Sequence, residues 1–555
     1  MMTVVNRRAQ REIEEIVELK RPDMPRIGID SIVISAPQTN FSSEELGKAI
    51  GVDPKRISDG LGIEKTRLPI FSQSNVTMVA DALYAFIKNM EENGSLEDLL
   101  DEPPKNIYFA TESNDDYSRP EAEVALGLVY SKLLNENDEF YRPYVNMFKH
   151  AEVKQATFAC AGVGLVLSDA VANVKMSSDS GRPESAIILS VDTAVYDSVR
   201  APNAEMTQGS GATLMWIKKN PRLIDVDYAF GYGRFNMPYP DFTKFGINTP
   251  KVYGRFSEIG YVYAVAQAFE DLESNVNLDK DFLKNINAFV SHVPFPKQAI
   301  YFASFLWEHY MKVYDKKLFE NLQNKDDLGI SPLNGNSLVE LITKKIEAFR
   351  GLNENDLIEY ITKDKEINDY WSWLKRLRTT KDSNQKDAIR GEFSDFLNRF
   401  SINNALKFPS VVGNSYTGST VMAIASLLDN AISDVSSIEN TIAIFYGSGL
   451  IAKAYKLHII ATPDDIANRL VISMKRYPDI ALTSDMYKPM HEALLKGDAA
   501  RAVNPEIDLI VQSSRLLRGN TLPLGFHVRK RNDDGTWEAA YVDGGGNIVT
   551  ILPRF

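Results

Sequence analysis

The sequence predicts an α/β fold. From Ile27 to about residue 218, short apolar runs alternate with segments of helical spacing, and a second series of the same kind follows between about 219 and 460. Layered α/β structures require such alternation, because each strand needs a helix to cover its apolar face. Size agrees: the chain has 555 residues, 44% of them hydrophobic, enough for one large core or two core-sized units.

The elements follow in order. Residues 1–25 read as a charged helical arm with a thin apolar stripe at Ile13, Ile16 and Val17. In the first series, Ile27–Ser35, Asn106–Ala110 and Ala186–Val191 read as strands; Val76–Met90, Glu121–Leu134 and Gly164–Met176 read as helices. In the second, Asn287–Val290 and Thr441–Phe445 read as strands and Val421–Asp429 as a helix. Residues 312–405 are polar, rich in Lys and Asp and helical in spacing, which predicts a helical insertion. Residues 461–555 read as a C-terminal extension. It ends in a hairpin: strand Gly525–Arg531, a turn at Asn532–Gly535, strand Thr536–Val542.

Composition excludes some functions. A net charge of −12 argues against nucleic acid, whose phosphates need a basic face. No apolar stretch reads as long enough to span a bilayer. The segment Met1–Arg26 lacks the apolar centre of a secretory signal, and a single cysteine makes no internal disulfide, so cytoplasm is the expected location. No residues have metal-ligand spacing, and no phosphate-binding G-x-x-x-x-G-K-[ST] loop is present.

Five segments offer chemistry. Cys160, in Phe158-Ala159-Cys160-Ala161-Gly162-Val163-Gly164, falls at the start of a helix, where unpaired N–H groups favour a thiolate. The small residues behind it would let a substrate approach the backbone. Alone, it reads more readily as an inert core cysteine. Glu112 appears where the run Phe109-Ala110-Thr111 ends, the place where α/β sheets bind ligands; it could be a general base, although a single such Glu is more often a loop acid. His292 ends another strand-like run and could donate a proton or stabilise an alkoxide, although alone it reads more readily as a structural histidine bonded to backbone; Lys297 lies one short step beyond, in reach of a phosphate. Asn414, in Gly413-Asn414-Ser415-Tyr416-Thr417-Gly418-Ser419, precedes a helix and, alone, reads more readily as a cap. Ser448 lies in the turn Tyr446-Gly447-Ser448-Gly449, whose N–H groups could form an oxyanion hole, although alone it reads more readily as an ordinary tight turn. Together they make an inventory for thioester chemistry: nucleophile, base, acid, orienter and oxyanion hole.

In their order along the chain, these segments resemble the hydroxymethylglutaryl-CoA (HMG-CoA) synthases. So do Asp192-Thr193-Ala194-Val195-Tyr196 and Gln208-Gly209-Ser210-Gly211-Ala212, and the resemblance runs from Ile27 to about Leu457. It implies a thiolase-like, five-layered α-β-α-β-α body of two similar halves, at 26–218 and 219–460, with the insertion in the second. It implies a condensation of acetyl-CoA with acetoacetyl-CoA and water in the mevalonate pathway, with no metal or organic cofactor. The enzyme would be a homodimer, with an acetoacetyl-CoA thiolase as a further partner. Cys160 would carry the acetyl group, Glu112 would deprotonate its methyl, and His292 would position the second substrate and protonate or stabilise the new alkoxide. The N–H groups of Cys160 and Ser448 would hold the oxyanion, Tyr196 and Asn414 would shape the pocket, and Lys297 would lie near CoA. The sequence departs from the family pattern in the glycine-rich stretch after the cysteine, the length of 312–405 and the N-terminal arm.

Other readings stay open at this point: a condensing enzyme acting on carrier-protein thioesters, a ketoacyl synthase, or a non-catalytic partner protein on the same fold. A two-cysteine thiolase is excluded by the single cysteine.

Overall fold

The computed structural model describes residues 25–551, except 115, 117, 199, 202, 227–230, 245–248, 276–281, 316, 318–319, 321–337, 349–353, 380–383, 496–507, 519 and 532–536. Apart from residue 25, the expected N-terminal arm lies outside the described residues, as does the turn at 532–535.

Among the described residues, eleven strands form one large sheet. Those of the first half are β1 (Ile27–Ser35), β2 (Pro104–Ala110), β3 (Glu152–Ala156), β4 (Ser185–Thr193) and β5 (Ser210–Lys219). A short strand, β6 (Ile224–Val226), and β7 (Tyr232–Asn236) follow. A separate two-stranded ribbon, β8 (Phe242–Thr243) and β9 (Lys251–Val252), comes before β10 (Ala288–Ser291), β11 (Asn440–Gly447), β12 (Ile451–Ile459) and β13 (Leu470–Ile472). The main path runs β10-β11-β12-β6-β1-β5-β4-β2-β3, with β13 beside β1 and β7 beside β12.

The two halves are therefore stitched through β6. It pairs with β1 at Gly28↔Asp225 and with β12 at Leu457↔Val226. Gly28 permits this, because a Cβ there would lie 2.0 Å from the Ile224 carbonyl oxygen. Strand β1 is buried along all nine residues, as a strand covered on both faces must be.

Helices complete the layers. Helices α1 (Asn75–Glu92) and α2 (Glu121–Phe148) cover the outer face of the first half, and α4 (Gly254–Asn275) and α5 (Pro296–Tyr314) that of the second. Between the strand layers lie α3 (Gly162–Asp179) and α6 (Ser419–Asn430); α3 touches β2, β4 and β5 on one side and β11 and β12 on the other. The expected five-layered α/β arrangement is present.

The central position of α3 explains two departures. Its glycines serve packing: a Cβ on Gly162 would stand 2.9 Å from the Ala110 Cβ, and one on Gly164 would stand 2.3 Å from the Phe445 Cβ. They let the helix fit between two strand layers and do not, as expected above, open the backbone to a substrate. Burial between two layers also makes the helix apolar all round. The 21 residues Ala159–Asp179 are long and apolar enough to cross a membrane by length and composition, contrary to the expectation of no such stretch.

Two other elements outrun the sequence. Helix α2 continues to Phe148 through a break at Asn137 (φ −158°, ψ 94°). The C-terminal hairpin, β14 (Gly525–Arg531) and β15 (Trp537–Val542), gains a third strand, β16 (Ile548–Ile551); β14 packs on α1 and β16 on α2, with Phe526, Ala539 and Ile551 in the same core. The helices of 312–405 are present; Trp371 and Tyr370 are buried there, and the Tyr370 hydroxyl donates to Glu308 Oε2 at 3.1 Å on α5.

Candidate active site

The site forms where parallel strands end. In the first half β2 runs parallel to both β3 and β4, and in the second β10 runs parallel to β11. Glu112 follows β2, Cys160 follows β3, Asp192 is the penultimate residue of β4, His292 follows β10 and Ser448 follows β11. Carboxyl ends of strands are the usual ligand face of such sheets.

Cys160 and Glu112 meet directly: the Cys160 thiol donates to Glu112 Oε2 at 3.0 Å. Ala159, just before the cysteine, has φ +39°, a left-handed conformation that a side-chain-bearing residue adopts at a cost of about 1–2 kcal/mol. Burial and the adjacent carboxylate push the Cys160 thiol well above its ordinary range. The thiolate expected from the helix start is therefore not the resting form; desolvation and Glu112 outweigh the helix end. Glu112 is itself pushed up to about 8, first by burial and then by Asp192, against lowering by the Cys160 hydrogen bond and Lys244.

Asp192 builds the frame. Its Oδ1 accepts from the Thr111 hydroxyl at 2.9 Å, the Glu112 N–H at 2.8 Å and the Ser113 hydroxyl at 2.8 Å. Its Oδ2 accepts from the Thr417 N–H at 2.9 Å and from the Thr417 hydroxyl. One fully buried carboxylate thus clamps the Glu112 segment of the first half to the 413–419 loop of the second. The sequence carried a signal for it: a charge directly after the run Ile187-Ile188-Leu189-Ser190-Val191, which is apolar but for Ser190.

The 413–419 loop is fixed by its own side chain. Asn414 Oδ1 accepts from the Tyr416 N–H at 2.8 Å, and the Asn414 N–H donates to the Thr207 oxygen at 2.9 Å. Tyr416 and Tyr196, with ring centres 6.2 Å apart, form an apolar wall with Cys160 and Val252.

Ser448 arrives beside the cysteine because Gly447 has no side chain. A Cβ there would stand 2.7 Å from the Phe158 oxygen and 2.8 Å from the Ala161 nitrogen. The Gly449 N–H donates to Asp241 Oδ1 at 2.9 Å, and the Ser448 hydroxyl bonds the same carboxylate.

His292 is fully buried and linked to this group through Tyr446, whose ring centre is 5.8 Å from the imidazole. The Tyr261 hydroxyl donates to the His292 oxygen at 2.6 Å. Burial lowers the imidazole to about 3, so it is neutral at ordinary pH. Among the described residues, no hydrogen bond joins His292 to Cys160 or Glu112, and its Nδ1 has no partner. Lys297 opens α5 and packs over Gly62, its Cε 3.6 Å from where a Cβ would stand. The structure thus pairs Glu112 with Cys160, sets Ser448 and Tyr196 around them, and holds His292 behind an aromatic ring. Asp192, Asp241, Lys244 and Tyr446 were not singled out from the sequence. Among the described residues, no group of three His, Cys, Asp or Glu side chains is arranged to hold a metal ion.

Known proteins share both sequence and fold. The HMG-CoA synthase of Haloferax volcanii is 26% identical over 473 residues, covering 82% of this chain and 91% of that protein. Over most of its length the chain is thus similar to an HMG-CoA synthase. The HMG-CoA synthase of Saccharomyces cerevisiae is 24% identical over 469 residues, covering 83% of this chain and 81% of its own. Among solved structures, MvaS in complex with 3-hydroxy-3-methylglutaryl coenzyme A superposes with a TM-score of 0.57 at 19% identity, over 93% of this chain and 99% of that one. That likeness shows the fold. No family model matches the chain.

Proposed function

We propose that this chain is an HMG-CoA synthase, which condenses acetyl-CoA with acetoacetyl-CoA and water, giving HMG-CoA and CoA through an acetyl-Cys160 intermediate. The part-buried 3.0 Å contact between Cys160 and Glu112 carries the reading. Glu112 takes the thiol proton as the sulfur attacks acetyl-CoA, and the carbon–sulfur bond to CoA breaks as CoA leaves with a proton. Glu112 then removes a proton from the acetyl methyl. The C–H electron pair becomes an enolate, its oxygen held by the N–H groups of Cys160 and Ser448. The enolate carbon adds to the ketone of acetoacetyl-CoA. The alkoxide regains the proton held by Glu112, while neutral His292 donates a hydrogen bond to that oxygen. Water cleaves the Cys160 thioester, leaving a free carboxylate on the product and the thiol on the enzyme. Tyr196 and Asn414 shape the pocket, and Lys297 lies toward CoA. No cofactor takes part, and the enzyme works as a cytoplasmic homodimer in the mevalonate pathway, supplied by an acetoacetyl-CoA thiolase.

The test is product analysis by chromatography with both substrates. Wild type should form HMG-CoA and Glu112→Ala should not. Full condensation by Glu112→Ala would remove Glu112 from its role, and no product from wild type would refute the assignment.

A further inference from the structure

The β8–β9 ribbon stands apart from the large sheet yet touches the site at several points. Asp241, just ahead of it, accepts from the Gly449 N–H at 2.9 Å on the turn that carries Ser448. Val252, within it, packs in the wall that includes Cys160. Lys244, just behind β8, donates from Nζ to the Glu112 main-chain oxygen at 3.2 Å. The ribbon is anchored by the Tyr253 N–H on the Asp241 oxygen at 3.0 Å and by the Val252 N–H on the Arg200 oxygen at 3.3 Å.

The groups around the Glu112 side chain define a charge problem. Asp192 faces it from the end of β4, the Cys160 thiol from the turn before α3, and the Tyr196 and Tyr416 phenols from two loops. When Glu112 acts as a base, two carboxylates are ionised in one buried shell, which is costly without a counter-charge. Among the described residues, Lys244 supplies the positive charge that acts on Glu112. Proton transfer from the methyl moves the negative charge from carboxylate to enolate oxygen, so the chamber's total charge is unchanged and the same cation serves before and after.

We propose that Lys244 is a positioning residue for the condensation: it pins the Glu112 main chain and balances the Glu112–Asp192 pair, so that Glu112 is ionised when the acetyl methyl is presented. This rests on the reading of Cys160 and Glu112 as nucleophile and base.

The test compares full-length wild type, Lys244→Met and Lys244→Arg. Condensation rate is measured against pH, and acetylation of Cys160 is followed by intact mass. Lys244→Met should move the acid limb of the profile up by about one pH unit, which is roughly tenfold slower on that limb, with rates converging at high pH. Lys244→Arg, which keeps the charge, should retain the wild-type limb. A Lys244→Met limb in the wild-type position, whether the rate is unchanged or lowered equally at every pH, would overturn the proposal; so would an arginine variant that behaves like methionine. If wild type itself is neither acetylated nor active, the underlying reading fails instead, and the two failures are told apart by the wild-type mass.

Discussion

The Cys160 sulfur and the Glu112 carboxylate share a hydrogen bond of 3.0 Å, in a chamber where burial disfavours both charged forms. Below about pH 8 both groups of the resting pair hold their protons, and neither gives one up easily to water. Nucleophile and base are thus coupled, and the ionisation of the pair governs each step that uses them.

That coupling sets the pH dependence. Glu112 is pushed up to about 8, so the rate of condensation should rise roughly tenfold per pH unit below about 8 and level above it. Stability should respond in the opposite sense. A carboxyl raised on folding stabilises the native state at low pH, and its contribution is lost as pH rises through about 8. Initial rates and denaturant midpoints across about pH 5 to 9 check both. A flat rate profile over that range contradicts the assignment.

His292 is neutral, held at about 3 by burial alone, and so enters as a hydrogen-bond donor. His292→Ala should still acetylate Cys160 but condense about 10²–10³-fold more slowly, the usual loss for one oxyanion donor. The wild-type profile should show no inflection near the ordinary histidine range. Separate measurement of acetyl-enzyme and product distinguishes the two steps; loss of acetylation in His292→Ala would place the residue elsewhere in the cycle.

Asp192 accepts from Thr111, Glu112, Ser113 and Thr417 without a donor of its own. In Asp192→Asn an amide N–H₂ would face some of these donors. The expected cost is about 1–3 kcal/mol of stability, read from urea unfolding, because buried donors lose their acceptor. Condensation should fall as well, since the Glu112 N–H is among them. An unchanged midpoint would show that the clamp contributes nothing to the fold.

Much of this site was legible in the sequence because chemistry concentrates at strand ends. Glu112, His292 and Ser448 each follow an apolar run that the structure makes a strand, and Cys160 precedes a helix as its spacing indicates. Tertiary burial was not legible. The same glycines that suggest an open backbone, Gly162 and Gly164, are explained only by Ala110 and Phe445 from two different strands. The Cys160 ionisation reverses for the same reason: a helix start is visible in one segment, whereas the opposing carboxylate comes from residues 48 positions away. Asp192 lay within a recognisable motif, yet its role depends on Thr417, 225 residues distant. Strand β6, three residues long, gives too short a pattern to announce that it joins the halves.

The most direct measurement is the intact mass of the full chain after brief mixing with acetyl-CoA alone. One acetyl group should appear on wild type, map to Cys160, vanish on addition of acetoacetyl-CoA, and be absent from Cys160→Ala. An unmodified wild-type protein, or an acetyl group that persists in Cys160→Ala, would contradict the account.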